Sequence, residues 1–172
     1  RGMYIMGENP AMSDPNVSHA RAALAKLEHL VVQDIFMTET AAHADVVLPA
    51  SAFPEKTGTF VNTDRRVQMG RQALPPPGNA RRDIEIIQEI ARRMGLIWHY
   101  SGPEDVFNEM RGCMSSMGGI TWDRLLRESA VTYPCNDVNQ PGQDVMFGEG
   151  FPTETGRAKF VPCDIIAPDE TP

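Results

Sequence analysis

The first half of the chain alternates short apolar runs with amphipathic segments. Three apolar runs end in polar or turn-forming residues, and each has the length of a buried strand. Apolar residues at three- and four-residue spacing lie between the first two runs and predict a helix with one face on a sheet: Val17, Ala20, Leu24 and Leu27. This alternation predicts an α/β fold whose sheet is mostly parallel with helices on both faces, its strands lying near residues 3–6, 30–33 and 45–48.

Helix start and stop signals indicate where the predicted helices begin and end. Asp14, which a proline follows, indicates the start of the first helix, because Asp is a good N-cap and Pro suits the first helical position. Asp83 precedes a second segment with helical periodicity, so its default role is the N-cap of a helix that Gly95 ends. Residues 96–100 are apolar enough for a further strand, and Thr121 is expected to cap the last helix.

The character of the chain changes after residue 130. Residues 1–130 alternate strands and helices, include a short predicted strand at 59–61, and form the expected α/β nucleotide-binding domain. Residues 131–172 are rich in Pro, Gly, Asn and Gln and show no helical period, so we expect a loop-rich extension. Within it, the Thr155-Gly156 pair predicts a β-hairpin over residues 151–160.

Polar residues follow the first two predicted strands at the point where a ligand is expected. In parallel sheets, ligands bind beyond the carboxyl ends of the strands. Glu8 and Asn9 follow the first strand, and they either hydrogen-bond a nucleotide or make a turn. Gln33 and Asp34 end the second strand, where they either read ribose hydroxyls and a base edge or cap the next turn together with Thr38.

Two charged residues further along the chain each have a functional and a structural interpretation. Lys56 either meets a phosphate or pairs with Glu55 at the surface, which contributes little to stability. Asp83 either caps its helix or accepts hydrogen bonds from guanine, whose N1–H and N2–H₂ groups match a carboxylate. The loop from Gly7 to the first helix has the layout of an anion site, although a plain strand–helix turn has the same layout.

Composition and charge narrow the function classes. The net charge of −7 over 172 residues argues against non-specific nucleic-acid binding, which needs a basic surface. No apolar run has the length of a membrane span, so no membrane contact is expected. Cys113, Cys135 and Cys163 are far apart and lack metal-ligand spacing, which suits a reducing, cytoplasmic compartment. No histidine has a Ser, Cys or Asp partner at a triad spacing, so we expect no catalytic histidine, and we predict no catalytic residue in this stretch.

Several long stretches of the sequence resemble one enzyme family. YIMGENPAMSDP, LVVQDIFMTETAAHADVVLPASAFPEKTGTFVNTDRRVQ and ARRDIEIIQEIARRMG are similar to the catalytic chain of molybdopterin-dependent oxidoreductases. WHYSGPEDVFNEMR and GFPTETGRAKFVPCDIIAP look most like the α subunit of formate dehydrogenase. The resemblance covers essentially the whole chain.

The resemblance implies a Rossmann-like α/β domain that holds one molybdopterin guanine dinucleotide by its guanosine end, followed by a β-barrel domain. Family members hold a molybdenum or tungsten ion between two such dinucleotides. They oxidise formate to CO₂ and pass electrons to an iron–sulfur cluster, a 4Fe-4S centre that lies outside this stretch. The expected partners are therefore the remaining domains of the same catalytic subunit and electron-transfer subunits with iron–sulfur or flavin centres.

The resemblance also implies roles for individual residues. Asn9 matches a nucleotide contact, and Gln33 and Asp34 match the pair that meets the ribose and guanine. Lys56 matches a position on the phosphate side, and Asp83 matches the carboxylate that reads the guanine edge. Neighbouring positions that are also expected to bind the cofactor are Gly7, Glu8 and Ser13.

The sequence departs from the family in what it lacks. It contains neither the CxxC-type motif that ligates the cluster nor the cysteine or selenocysteine context that ligates the metal. We therefore expect one domain of a larger catalytic subunit, inactive toward formate on its own. Two alternatives stay open: another reaction of the family, such as nitrate reduction, and a nucleotide-binding module without redox chemistry.

Overall fold

Two three-stranded sheets form the framework of the computed structural model, which describes residues 1–165. The first sheet is parallel, has the order β1-β2-β3, and consists of β1 (Gly2–Met6), β2 (His29–Asp34) and β3 (Val46–Pro49). The second is antiparallel, has the order β4-β5-β6, and consists of β4 (Gly58–Val61), β5 (Arg66–Gly70) and β6 (Ala130–Thr132). The α-helices of the described residues are α1 (Pro10–Ser13), α2 (Val17–Leu24), α3 (Asp83–Arg93), α4 (Pro103–Cys113) and α5 (Trp122–Glu128).

The parallel sheet confirms the three strands that the apolar runs predict. Ile5 of β1 pairs with Val32 of β2, which in turn pairs with Val47 of β3. Leu30 and Val32 are almost completely buried because alternate residues of a strand share one face. Six buried residues form this first core: Ile5, Ala11, Leu24, Leu30, Val32 and Ala41.

The first long helix begins later than the sequence predicts. The N-cap is Asn16, whose Oδ1 accepts a hydrogen bond from the backbone N–H of His19 at 3.0 Å, and α2 starts at the next residue. Asp14 is therefore not the N-cap. Its Oδ1 accepts from the backbone N–H of Asn16 at 3.3 Å and stabilises the turn before the helix. Asn and Asp cap helices about equally well, so residue type could not distinguish the two positions.

Only one strand of the antiparallel sheet is predicted from the sequence. The strand expected at residues 59–61 is confirmed as part of β4, whereas β5 and β6 were not predicted. β5 buries only Val67 and Met69, and this alternation is too short to stand out in the sequence. The second core combines this sheet with α4 and α5 and contains Val67, Met69, Phe107, Met117, Ile120, Trp122, Leu125, Val131 and Cys135.

Two predicted β elements are absent from the described residues. Residues 96–100 contain no strand, because their backbone is held by α3: the N–H of Tyr100 donates to Oε1 of Gln88 at 2.7 Å. Residues 151–160 contain a turn but no paired strands. The N–H of Gly156 donates to the Thr153 carbonyl at 3.0 Å, and no ladder extends from it.

Other local predictions are confirmed. The Thr121 hydroxyl accepts from the N–H of Arg124 at 3.1 Å and caps α5. Gly95, with φ of 84°, follows the last turn of α3 in the left-handed region that glycine favours. The division into two domains at residue 130 stays a prediction, and β6 crosses that boundary.

Two arginines attach the segment after β6 to the rest of the molecule. Arg65 closes the turn between β4 and β5, and its guanidinium donates to three carbonyls, those of Tyr133, Gln143 and Asp144, at 2.5–3.0 Å. Arg124 is only 8% exposed, and its Nη1 donates to the carbonyls of Gly119 and Gln140 at 3.1 and 3.0 Å. Such charge-assisted hydrogen bonds are stronger than neutral ones, so the two side chains fix the path of this segment.

Two features are absent from residues 1–165. None of their helices combines the length and the apolar character needed to cross a membrane. No three His, Cys, Asp or Glu side chains among them are grouped so that they could hold a metal ion. All three cysteines are free, and only Cys135 is buried.

The contact between Gly142 and β6 yields a stability prediction. A Cβ on Gly142 would collide with the Thr132 carbonyl, so we expect Gly142→Ala to lower the free energy of unfolding by about 1–3 kcal/mol. Gly148→Ala is the matched control, because no atom lies within 4 Å of the added Cβ, and it should change stability by less than about 0.5 kcal/mol. Urea unfolding followed by circular dichroism measures both variants. Equal stability of the two would contradict the close packing of Gly142.

Candidate functional site

The start of α3 is brought to the carboxyl edge of the parallel sheet by backbone pairing. Arg81 runs parallel to the end of β3: its N–H donates to the Pro49 carbonyl at 3.1 Å, and its carbonyl accepts from the N–H of Ser51 at 2.9 Å. This pairing acts as one step of a fourth parallel strand. Asp83 consequently lies beside the strand ends, although it is far from them in the sequence.

The Asp83 carboxylate is the centre of the candidate site. Its Oδ1 accepts a hydrogen bond from Nε2 of Gln33 at 2.7 Å. Its Oδ2 accepts from the ammonium group of Lys56, which forms an ion pair with it. The Lys56 and Asp83 side chains are 26% and 32% exposed, so the pair is largely shielded from water while one side stays accessible. Three of the predicted site residues therefore form one network.

Asp83 is not the N-cap of α3, contrary to its default interpretation. The N-cap is Arg82, and Asp83 is the first helical residue. Glu85 performs the capping instead, because its Oε2 accepts from the backbone N–H of Arg82 at 3.3 Å. Because the helix starts one residue earlier than the default interpretation assumes, the Asp83 carboxylate does not cap it.

Tyr4 belongs to this network and was missed by the sequence reasoning. Its hydroxyl donates to Oε1 of Gln33, a side chain that is completely buried. Burial, and then the negative charge of Asp83, raise the pKa of the Tyr4 phenol above its usual value, so the hydroxyl keeps its proton. The sequence does place a tyrosine two residues before the end of the first strand. Only the order of the strands in the sheet shows that this tyrosine lies next to Gln33.

Lys56 does not pair with Glu55. Oε2 of Glu55 accepts from the backbone N–H of Ala52 at 2.8 Å, whereas the ammonium group of Lys56 donates to the Ser51 carbonyl at 3.0 Å as well as to Asp83. The Ser51 side chain is 1% exposed, and its Oγ has no hydrogen-bond partner among the described residues. An unsatisfied buried hydroxyl is unusual in proteins and lies next to the site.

Asn9 connects the loops that follow β1 and β2. Its Oδ1 accepts from the backbone N–H and the hydroxyl of Thr40 at 3.1 and 2.8 Å, and its Nδ2 donates to Oε2 of Glu39 at 2.7 Å. The hydrogen bond from Asn9 lowers the pKa of Glu39, which stays ionised. The Ser13 hydroxyl donates to the Asn9 carbonyl at 3.1 Å. The structure therefore gives Asn9 an architectural role at the sheet edge.

The remaining predicted residues border the same edge outside the Asp83 network. Gly7 has φ of 64°, and its N–H donates to the Gln33 carbonyl at 2.9 Å. Glu8 follows it at the surface. Oδ1 of Asp34 accepts from the N–H of Ile35 at 2.7 Å, a local turn that does not involve Thr38. The structure thus brings these residues to one edge and leaves the Glu8 and Asp34 carboxylates partly or fully exposed to solvent.

A pocket of about 260 Å³ opens beside Asp83. Its apolar lining residues come mostly from α4: Ile84, Pro103, Val106, Phe107 and Met110. Polar and charged residues complete the lining: Lys56, Thr57, Thr59, Arg82 and Asp83. An apolar lining with a few convergent polar groups is typical of small-molecule and cofactor sites. The Asp83 carboxylate suits a ligand that presents hydrogen-bond donors.

Comparisons with known proteins place this site in a family context. The family model of the molybdopterin oxidoreductases matches residues 1–93, which include all eight predicted site residues. The chain is 46% identical over 172 residues to the F420-dependent formate dehydrogenase subunit alpha of Methanocaldococcus jannaschii, with 99% of this chain and 25% of that protein covered. It is 38% identical over 170 residues to formate dehydrogenase H of Escherichia coli, with 98% and 24% covered.

A solved structure is similar as well. The acetylene hydratase of Pelobacter acetylenicus matches with a TM-score of 0.67 and 25% identity, over 91% of this chain and 21% of that one. The fold is thus a mixed α/β fold that also occurs in a larger enzyme. The chain spans about a quarter of the length of the relatives named here.

The ion pair at the site yields a second stability prediction. A double-mutant cycle with Lys56→Met and Asp83→Asn should give a coupling energy of about 1–2 kcal/mol, above the range of exposed pairs, because both side chains are largely shielded. The matched pair is Glu89 with Arg93, where the arginine is 74% exposed and the coupling should be smaller. Urea unfolding in low and high salt measures both cycles. A Lys56–Asp83 coupling no larger than that of the exposed pair would refute the shielding.

Proposed function

The chain belongs to the molybdopterin oxidoreductase family, and on this premise we propose that it binds the guanosine end of one molybdopterin guanine dinucleotide. We further propose that the complete protein is a formate dehydrogenase catalytic subunit. The similarity to formate dehydrogenase chains over nearly the whole sequence supports this assignment. The domain would be Rossmann-like and would precede a β-barrel domain in a cytoplasmic enzyme.

The position of Asp83 carries the proposal. Asp83 lines a pocket together with a few polar groups and with apolar side chains, mostly of α4. Guanine presents two adjacent donors, N1–H and N2–H₂, which a carboxylate accepts in a bidentate arrangement. Each carboxylate oxygen has two lone pairs, so the hydrogen bonds from Gln33 and Lys56 leave one acceptor site on each oxygen for the base.

The other predicted residues fit the sugar and phosphates of the same nucleotide. The partly exposed Asp34 carboxylate suits the ribose hydroxyls, and one N–H of Lys56 remains after its bonds to Ser51 and Asp83. The unsatisfied Ser51 hydroxyl adds a further polar group at this edge. The side chain or backbone contacts of Asn9 and its neighbours would complete the site: Gly7, Glu8 and Ser13.

The residues of this chain bind and orient the cofactor rather than react. When bound, the cofactor's molybdenum or tungsten supplies the two-electron oxidation of formate to CO₂. The electrons would leave through a 4Fe-4S cluster elsewhere in the subunit and then through partner subunits with iron–sulfur or flavin centres. Asp83 would fix the distal end of the dinucleotide, and the apolar wall of α4 would exclude water from one face of the base.

Another reaction within the family is the second candidate. The similarity to an acetylene hydratase indicates that this fold is compatible with an enzyme whose name states a different reaction. A guanosine site alone does not select the substrate, because the reacting centre lies at the other end of the cofactor. The higher identity to formate dehydrogenase chains, 46% and 38% against 25%, favours formate.

Asp83→Asn in the full-length subunit tests the proposal. Asn has one acceptor oxygen, so the variant loses half of a charge-assisted pair, which is equivalent to about 2–3 kcal/mol of cofactor affinity. We expect much less GMP per polypeptide to be released by acid hydrolysis of the purified subunit. Asp123→Asn is the matched control, since Asp123 is also an acidic first-turn residue but is exposed on α5. Full GMP retention by Asp83→Asn would contradict the proposal.

A further inference from the structure

The Asp83 carboxylate is held at both oxygens from two different directions. Gln33, at the end of β2, donates to Oδ1, and Lys56, in the loop before β4, donates to Oδ2. The terminal torsion of an Asp side chain is broad, so a free carboxylate samples many orientations. A bidentate pair with a base requires one orientation, in which the carboxylate is coplanar with the base edge. Two donors on opposite oxygens remove this rotational freedom.

Asp83 fixes which way the Gln33 amide points, and Tyr4 binds the other end of that amide. The Asp83 carboxylate accepts only, so Nε2 of Gln33 must face it, and Oε1 is left facing the Tyr4 hydroxyl. The hydroxyl donates to Oε1 and satisfies the buried amide oxygen. A flipped amide would place two acceptors against each other at Asp83. The chain of hydrogen bonds from Tyr4 through Gln33 therefore ends in a fixed donor to Asp83.

We infer that Tyr4, Gln33 and Lys56 are positioning residues that orient the Asp83 carboxylate and thereby set the preference of the site for guanine. The inference rests on the proposed function and deepens it. It assigns Lys56 a role in base selection in addition to the phosphate contact expected for it. It also assigns a role to Tyr4, which need not touch the nucleotide.

Two nucleotides that differ by one amino group separate these roles. GMP and IMP share the sugar, the phosphate and N1–H, and only GMP carries the 2-amino group. A phosphate contact contributes equally to both, whereas the orientation of Asp83 affects GMP more. The ratio of the two affinities therefore reports on the carboxylate, and the separate affinities report on the phosphate.

The experiment is calorimetric titration of the cofactor-depleted full-length subunit with GMP and with IMP. We expect the wild-type protein to bind GMP about tenfold more tightly, in line with one hydrogen bond to a charged group. Lys56→Met and Tyr4→Phe should each lower this ratio to about threefold or less, because the carboxylate loses its fixed plane. Melting temperatures of all variants, recorded in parallel, show that the proteins are folded.

Matched controls remove the same groups elsewhere. Lys26→Met removes an exposed ammonium group, and Tyr133→Phe removes a hydroxyl that is bonded to Ser116 beside the second core. Both should keep the wild-type ratio. Tyr4→Phe removes a single oxygen atom, so it keeps the test decisive if Lys56→Met does not fold.

The outcomes distinguish this inference from the proposed function. A wild-type ratio near one would overturn guanine recognition and the inference with it. A high wild-type ratio that falls in Asp83→Asn but persists in both Lys56→Met and Tyr4→Phe would overturn the inference alone. The inference would also be overturned if Lys56→Met lost GMP and IMP affinity equally and Tyr4→Phe kept the wild-type ratio. Lys56 would then be a phosphate contact only.

Discussion

Two backbone hydrogen bonds between Arg81 and the end of β3 determine where the site forms. They hold the residues before α3 alongside Pro49 and Ser51, so the first turn of the helix starts at the sheet edge. Asp83 then meets Gln33, which lies 50 residues earlier in the chain. Because main-chain groups make this contact, the register of the pairing, rather than any particular side chain, fixes the position of the carboxylate.

The site therefore depends on the order in which strands and loops meet at one edge. Parallel strands present their carboxyl ends together, and the Arg81 pairing adds a fourth segment to that edge. Asn9 performs a complementary task on the other side, where it binds Thr40 and Glu39 and joins the loops after β1 and β2. Polar side chains in the parallel-sheet half thus maintain the architecture and line the candidate site at once.

The sequence predicts the parallel sheet well because its strands are apolar runs with turn-forming ends. It also predicts that Gln33 ends a strand and that Asp83 starts a helix, yet it does not predict that the two side chains touch. That contact depends on Arg81, in a segment without any strand-like alternation, and long-range pairing of this kind leaves no local pattern. Tyr4 was missed for the same reason. The default role of Asp83 as an N-cap is wrong because the sequence locates helix ends only to within a residue or two.

The two arginines that hold the segment after β6 have a consequence for how that segment can change. Arg65 and Arg124 contact the carbonyls of Tyr133, Gln140, Gln143 and Asp144, and every amino acid carries a carbonyl. The attachment thus recognises the course of the main chain and is indifferent to most side chains along it. Outward-facing positions of this segment are free to diversify, so its surface can adapt to different neighbours while its anchorage stays the same.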